Sequence, residues 1–128
     1  MKYYKVNKMS SVKTFNELKN RFKADAAQNL QANYLLNLTG ENGSVILLKI
    51  NKGELDISII QPTLENKDDI LNGADCCISA SQEDFESILA GQMTAATAAL
   101  SGILSIEGEL SLALQLLPIF FEEQTQFI

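Results

Sequence analysis

The chain has 128 residues, 46% of them hydrophobic and 20% charged, the size and balance of one globular domain that buries its core without disulfide or metal staples. A single domain over residues 1–128 is expected, with 1–9 a flexible lead-in. The net charge of −6 excludes nucleic acid as a partner, because such binding needs a basic footprint.

In chain order, Ser10 to about Gln28 reads as an amphipathic helix. Val12, Phe15, Leu18, Phe22 and Ala26 recur at three- and four-residue steps, and Thr14-x-x-Glu17 has the form of a capping box. The period then changes to two. Tyr34, Leu36 and Leu38 alternate along a first strand, and Gly40-Glu41-Asn42-Gly43 turns the chain. Ile46, Leu48 and Ile50 mark a second strand, Asn51-Lys52-Gly53 a second turn, and Leu55, Ile57 and Ile59 a third strand. A polar loop fills Gln61 to Gly73, and Asp75 to Ala80 forms a fourth strand.

Ser81 is placed to cap a helix with Glu83 and Asp84 in its first turn. Phe85, Ile88 and Leu89 form the buried stripe of that helix, and Gly91 ends it. Thr94 to Leu100 is a short alanine-rich helix stopped by Gly102. Ile103 to Glu107 is a fifth strand, with Leu104 and Ile106 inward. Glu109 to Leu117 is a further helix, and Pro118 starts or kinks a last one that ends near Phe127. The fold class is therefore α+β, a five-stranded mostly antiparallel sheet with helices packed over one face.

Reactive chemistry is sparse. The chain has no histidine, which removes Ser-His and Cys-His nucleophilic systems, and no glycine-rich phosphate loop is present. The acidic clusters Asp68/Asp69, Glu83/Asp84/Glu86 and Glu122/Glu123 lack metal-site spacing and read as a loop, a helix start and a solvated face. Cys76 and Cys77 are adjacent in a strand, so they point to opposite faces and read as reduced thiols. No catalytic residue, metal or cofactor is expected.

Apolar side chains are in surplus near the C-terminus. On the helix from Glu109, Leu110, Leu112, Ala113, Leu114, Leu116 and Leu117 span an arc of roughly 200°, about twice the stripe a surface helix needs. Three things can cover the excess: the last helix, a second subunit or a lipid.

Ala74-Asp75-Cys76, Ile78, Ser81, Asp84-Phe85, Ile88, Gly91-Gln92-Met93, Gly102-x-Leu104-x-Ile106-x-Gly108 and Leu112-Ala113 follow one another in an informative order. Together with Leu36-x-Leu38-x-Gly40 and Asn51-Lys52-Gly53, this pattern resembles the sterol carrier protein (type-2, non-specific lipid-transfer) family over roughly residues 10–120. The resemblance implies an apolar tunnel between sheet and helices, taking fatty acids, acyl-CoA esters, phospholipids or sterols without metal or cofactor. It implies that Phe85, Ile88 and Leu89 lie over the tunnel, that Leu104 and Ile106 belong to a wall strand, and that Ala113, Leu114 and Leu117 lie near the mouth. Two positions depart from the family: Val45 and Ile46 stand near its usual tryptophan, and Ile103 replaces its usual lysine, weakening any recognition of phosphate or CoA.

The expected function is a non-catalytic carrier that binds a hydrophobic ligand, transfers it, and is monomeric. The alternatives are an accessory module presenting a lipid-like substrate such as a quinone precursor to an enzyme, and a structural domain dimerising through its C-terminal helices. Residues 1–25 carry seven basic side chains against Glu17 and Asp25, a local +5 that leaves −11 on the rest. Transient contact of this basic N-terminal helix with an anionic membrane follows as an expectation. No stretch reaches the roughly 18 apolar residues of a membrane span. No secretory signal is seen, and Gln126-Phe127-Ile128 is no peroxisomal address, so a cytoplasmic location is expected.

Overall fold

A computed structural model describes residues 2–41, 43–60, 70 and 72–121, with side chains from residue 12 onward. Most of the loop expected over Gln61–Gly73, the last helix beyond Phe121, and the side chains of Lys2, Lys5 and Lys8 lie outside the described residues.

Five strands form one mixed sheet: β1 (Gln31–Thr39), β2 (Ser44–Asn51), β3 (Glu54–Ile60), β4 (Cys76–Ser81) and β5 (Ser105–Gly108), in the order β3-β2-β1-β4-β5. Three of the pairings are antiparallel, and β1 with β4 is parallel. The period-two pattern explains the register. Tyr34 sits opposite Leu48 and Cys76, and Leu36 opposite Ile46 and Ile78, so every second residue of three neighbouring strands faces one core. Tyr34, Ile46, Leu48 and Ile50 are at most 1% exposed. The two thiols divide as the pleat requires, Cys76 buried and Cys77 half-buried, both free. The reverse face is mostly polar, although Leu35 is buried there.

Two turns depend on backbone that glycine suits. Lys52 and Gly53 have φ of 48° and 88°, the paired positive values of a two-residue hairpin turn. Gly108 has φ of 101°, and an added Cβ would stand 2.6 Å from the Asp75 carbonyl oxygen, so no other residue fits where β5 meets β4.

Helices α1 (Lys2–Arg21), α2 (Gln82–Leu89), α3 (Ala95–Leu100) and α4 (Leu110–Leu116) pack on the inward face, and α4 runs into a π-helix at Leu117–Phe121. Ser81 and Thr94 cap α2 and α3, their hydroxyls accepting from the N–H groups of Asp84 and Thr97 at 3.0 Å.

The first helix departs from expectation. It stops at Arg21 rather than near Gln28, and a short 3-10 turn follows at Asp25–Ala27. Tertiary hydrogen bonds redirect the chain: Lys23 N–H donates to Ile119 O, Lys52 N–H to Leu30 O and Gly53 N–H to Ala27 O. The buried stripe is also rotated. Thr14 and Leu18 are buried, whereas Val12 and Ala26 are exposed. Thr14 lies inside α1 rather than capping it, its hydroxyl accepting from Gln82 Nε2 at 2.9 Å. That cross-link gives a buried polar group the partner it needs.

Candidate functional site

Between the inward sheet face and the helices lies an apolar hollow of about 70 Å³. Its origin is the small side chains that line it. Ala95, Ala96 and Ala99 face it from α3 and Ala113 faces it from α4. A methyl leaves space where a leucine would interdigitate. The floor is Leu36, Leu48 and Ile78 of the sheet, with Leu18 of α1 at one side. Every described residue that lines the hollow is apolar, so none of them supplies an acid, base, nucleophile or metal ligand. Among the described residues no group of three or more acidic, Cys or His side chains is placed to hold a metal ion.

The C-terminal wall owes its form to Pro118. Proline has no N–H to donate to the Leu114 carbonyl, which instead accepts from Leu117 N–H. The backbone widens into the π-helix, a form that recurs at functional sites, and carries Phe120 and Phe121 to the hollow. The two rings pack on each other at 6.4 Å, with Phe121 edge-on to Phe85 at 6.3 Å and Phe120 tilted on Phe22 at 5.7 Å. Arg21 fastens this wall from α1. Its guanidinium bonds Glu17 at 2.8 Å and the Phe120 carbonyl at 3.4 Å, and it also donates to the Leu89 carbonyl at the end of α2. On the far side, Tyr34 donates its hydroxyl to the Leu112 carbonyl at 2.9 Å, tying α4 to the central strand. Burial, with Cys76 and Asp75 nearby, holds that phenol in its neutral form by raising its pKa.

Of the residues singled out from sequence, Phe85, Ile88, Leu104, Ile106, Ala113, Leu114 and Leu117 all line the hollow. Leu89 does not. It lies in a separate polar groove with Lys13, Glu17 and Glu86, between α1 and α2. Sequence reasoning passed over the α3 alanines and Phe120 and Phe121. The signal was present in Ala95-Ala96-Thr97-Ala98-Ala99, where a buried helix face is built of methyls alone. The structure shows no tunnel of the kind the resemblance implies among the described residues, only this hollow, well below the roughly 300–1,000 Å³ of ligand pockets.

No helix among the described residues is long and apolar enough to cross a membrane. A profile of the SCP-2 sterol transfer family matches residues 15–121. Human hydroxysteroid dehydrogenase-like protein 2 is 28% identical over 103 residues, covering 80% of this chain and 23% of that protein. The chain thus spans about a quarter of the length of the curated relatives it matches. Sterol carrier protein 2 like 2 from Aedes aegypti superposes with a TM-score of 0.61 at 16% identity, covering 85% of this chain and 94% of that one. The inverting sec-alkylsulfatase Pisa1 from Pseudomonas sp. gives 0.64 at 16% identity, covering 90% of this chain and 17% of that one. With the profile spanning most of the length and the fold agreeing, the chain belongs to the SCP-2 sterol transfer family.

Proposed function

We propose that the protein is a non-catalytic carrier of a single hydrocarbon chain or compact apolar lipid. The ligand's tail lies in the hollow and its polar end stays at the edge between α3 and α4. The observation that carries this reading is an interior space whose described lining residues are all apolar, in a member of this family. With no polar side chain among the described lining residues, burial of apolar surface is the source of affinity. A chain of about sixteen carbons gains roughly 12 kcal/mol gross at about 0.8 kcal/mol per methylene. Association costs about 4 kcal/mol or more, leaving binding near micromolar. The hollow must widen to accept it.

Two similar proteins hold this domain as a minor part of a longer chain, one named for hydroxysteroids and one for alkyl sulfates. This favours a second reading for the same hollow, that of a module offering an apolar substrate to a catalytic domain. Delipidated protein titrated with a fluorescent fatty acid tests the carrier reading. One saturable site per chain with a Kd of about 1 μM is expected. The absence of saturable binding of fatty acid or sterol overturns it.

A further inference from the structure

Among the described residues four large hydrophobic side chains stand well out in solvent: Val12, Leu100, Leu110 and Leu114, exposed by 48%, 90%, 57% and 37%. Single exposed apolar residues are ordinary, but a cluster marks an interaction site. Three of these four stand on α3 and α4, the two helices whose residues line the hollow. Leu110 and Leu114 are one turn apart on α4 and line the hollow where it reaches solvent. Leu100 lies four residues beyond Ala96 and next to Ala99 on α3, and those alanines line the hollow too. Positions i and i+4 share a helix face, so Leu100 continues outward the face of α3 that walls the hollow.

The charge of this region narrows the partner. From Gln92 to Phe121 the sequence has no basic residue and only two acids, Glu107 and Glu109. Glu109 precedes Leu110 at the start of α4. Nothing here attracts an anionic membrane. A second copy of the chain fits poorly as well, because a stable dimer buries about 800 Å² per partner, and three partly exposed leucines supply only a fraction of that. Attachment to a lipid surface scales with the apolar area inserted and has no such minimum, so a few leucines suffice for weak, reversible docking.

We propose that Leu100, Leu110 and Leu114 form a collar that docks on the surface of an uncharged or zwitterionic bilayer, giving a lipid chain one continuous apolar path into the hollow. This rests on the carrier reading above, and it places membrane contact at the α3–α4 edge rather than on the basic first helix.

Flotation of the protein with pure phosphatidylcholine vesicles, without added cargo, tests docking by itself. Leu100→Asp alters the collar but no residue lining the hollow. Val12→Asp makes the same change on α1. Leu100→Asp is expected to weaken flotation about ten-fold, with Val12→Asp and 0.5 M salt having little effect, as apolar docking predicts. In solution Leu100→Asp should bind fluorescent fatty acid as the parent does, so loss of fatty-acid binding by the parent would strike the carrier reading while flotation still decides docking. Three results overturn the collar: no flotation of the parent, loss in Val12→Asp but not Leu100→Asp, or sedimentation showing that Leu100→Asp converts a dimer into a monomer.

Discussion

The interior has a solid half around Tyr34 and a hollow half around Ala113, although both are enclosed by the same sheet and helices. In the solid half β-branched and leucine side chains from three strands meet in register, and Tyr34, Ile46 and Ile50 are all but sealed. In the hollow half the facing side chains are the alanines of α3 and α4, and the wall behind them is a short π-helix fastened by Arg21. The comparison teaches how one sheet and one set of helices can enclose both a close-packed core and an apolar space. Cohesion is concentrated on the hydrogen-bonded sheet, whereas the surface proposed to receive the ligand is assembled from short helices around the hollow.

The contrast predicts unequal costs for equal truncations. Ile50→Ala removes a side chain with neighbours all round and should cost about 4 kcal/mol. Ile88→Ala opens onto existing space, where fewer contacts are lost, and should cost about 2 kcal/mol. Urea unfolding of both variants measures the difference, and equal losses would mean that the hollow is packed as tightly as the sheet.

A smaller effect distinguishes the halves by pH. Burial first, then the charges of Cys77, Asp75 and Glu109, raises the Cys76 thiol from 9.0 to about 11. The fold therefore favours the neutral thiol. That contribution is fully present below the unfolded value near 9 and is lost as pH rises towards about 11, because the unfolded chain gives up its proton first. Between pH 9 and 11 the urea midpoint of the parent should fall more steeply than that of Cys76→Ala. Parallel curves would show that Cys76 ionises as freely folded as unfolded.

The inward faces of the first four strands and the starts of two helices were legible in the sequence because their causes are local, whereas the fifth strand begins at Ser105 rather than Ile103. Alternation placed Tyr34, Leu36 and Leu48 inward, and Ser81 and Thr94 marked the starts of α2 and α3. The first helix was less legible, since its end is set by bonds from Ile119, Leu30 and Ala27, distant in sequence or in the next turn. Its rotation, with Thr14 buried rather than Val12, depends on Gln82, 68 residues away. The excess apolar arc on α4 pointed to something beyond the sheet, and the structure shows Leu110 and Leu114 at the rim of the hollow. The size of that hollow was not readable. A void is a difference between the volumes that many elements offer and fill, and no single residue pattern reports it. The misplacement of Leu89 has the same origin. One residue along a helix turns a side chain by about 100°, enough to carry it from the hollow into the polar groove beside Glu17.

The central claim is that space left by small side chains is the lipid site, and filling that space tests it most directly. Ala113→Phe projects a ring from α4 into the hollow without touching the collar residue Leu100 or the Tyr34 bond to Leu112. Fluorescent fatty acid titrated into the parent and the variant, alongside their urea midpoints, gives both readouts at once. The account predicts a variant folded to within about 2 kcal/mol of the parent whose affinity has fallen at least ten-fold. A folded variant that binds the fatty acid as tightly as the parent would contradict it.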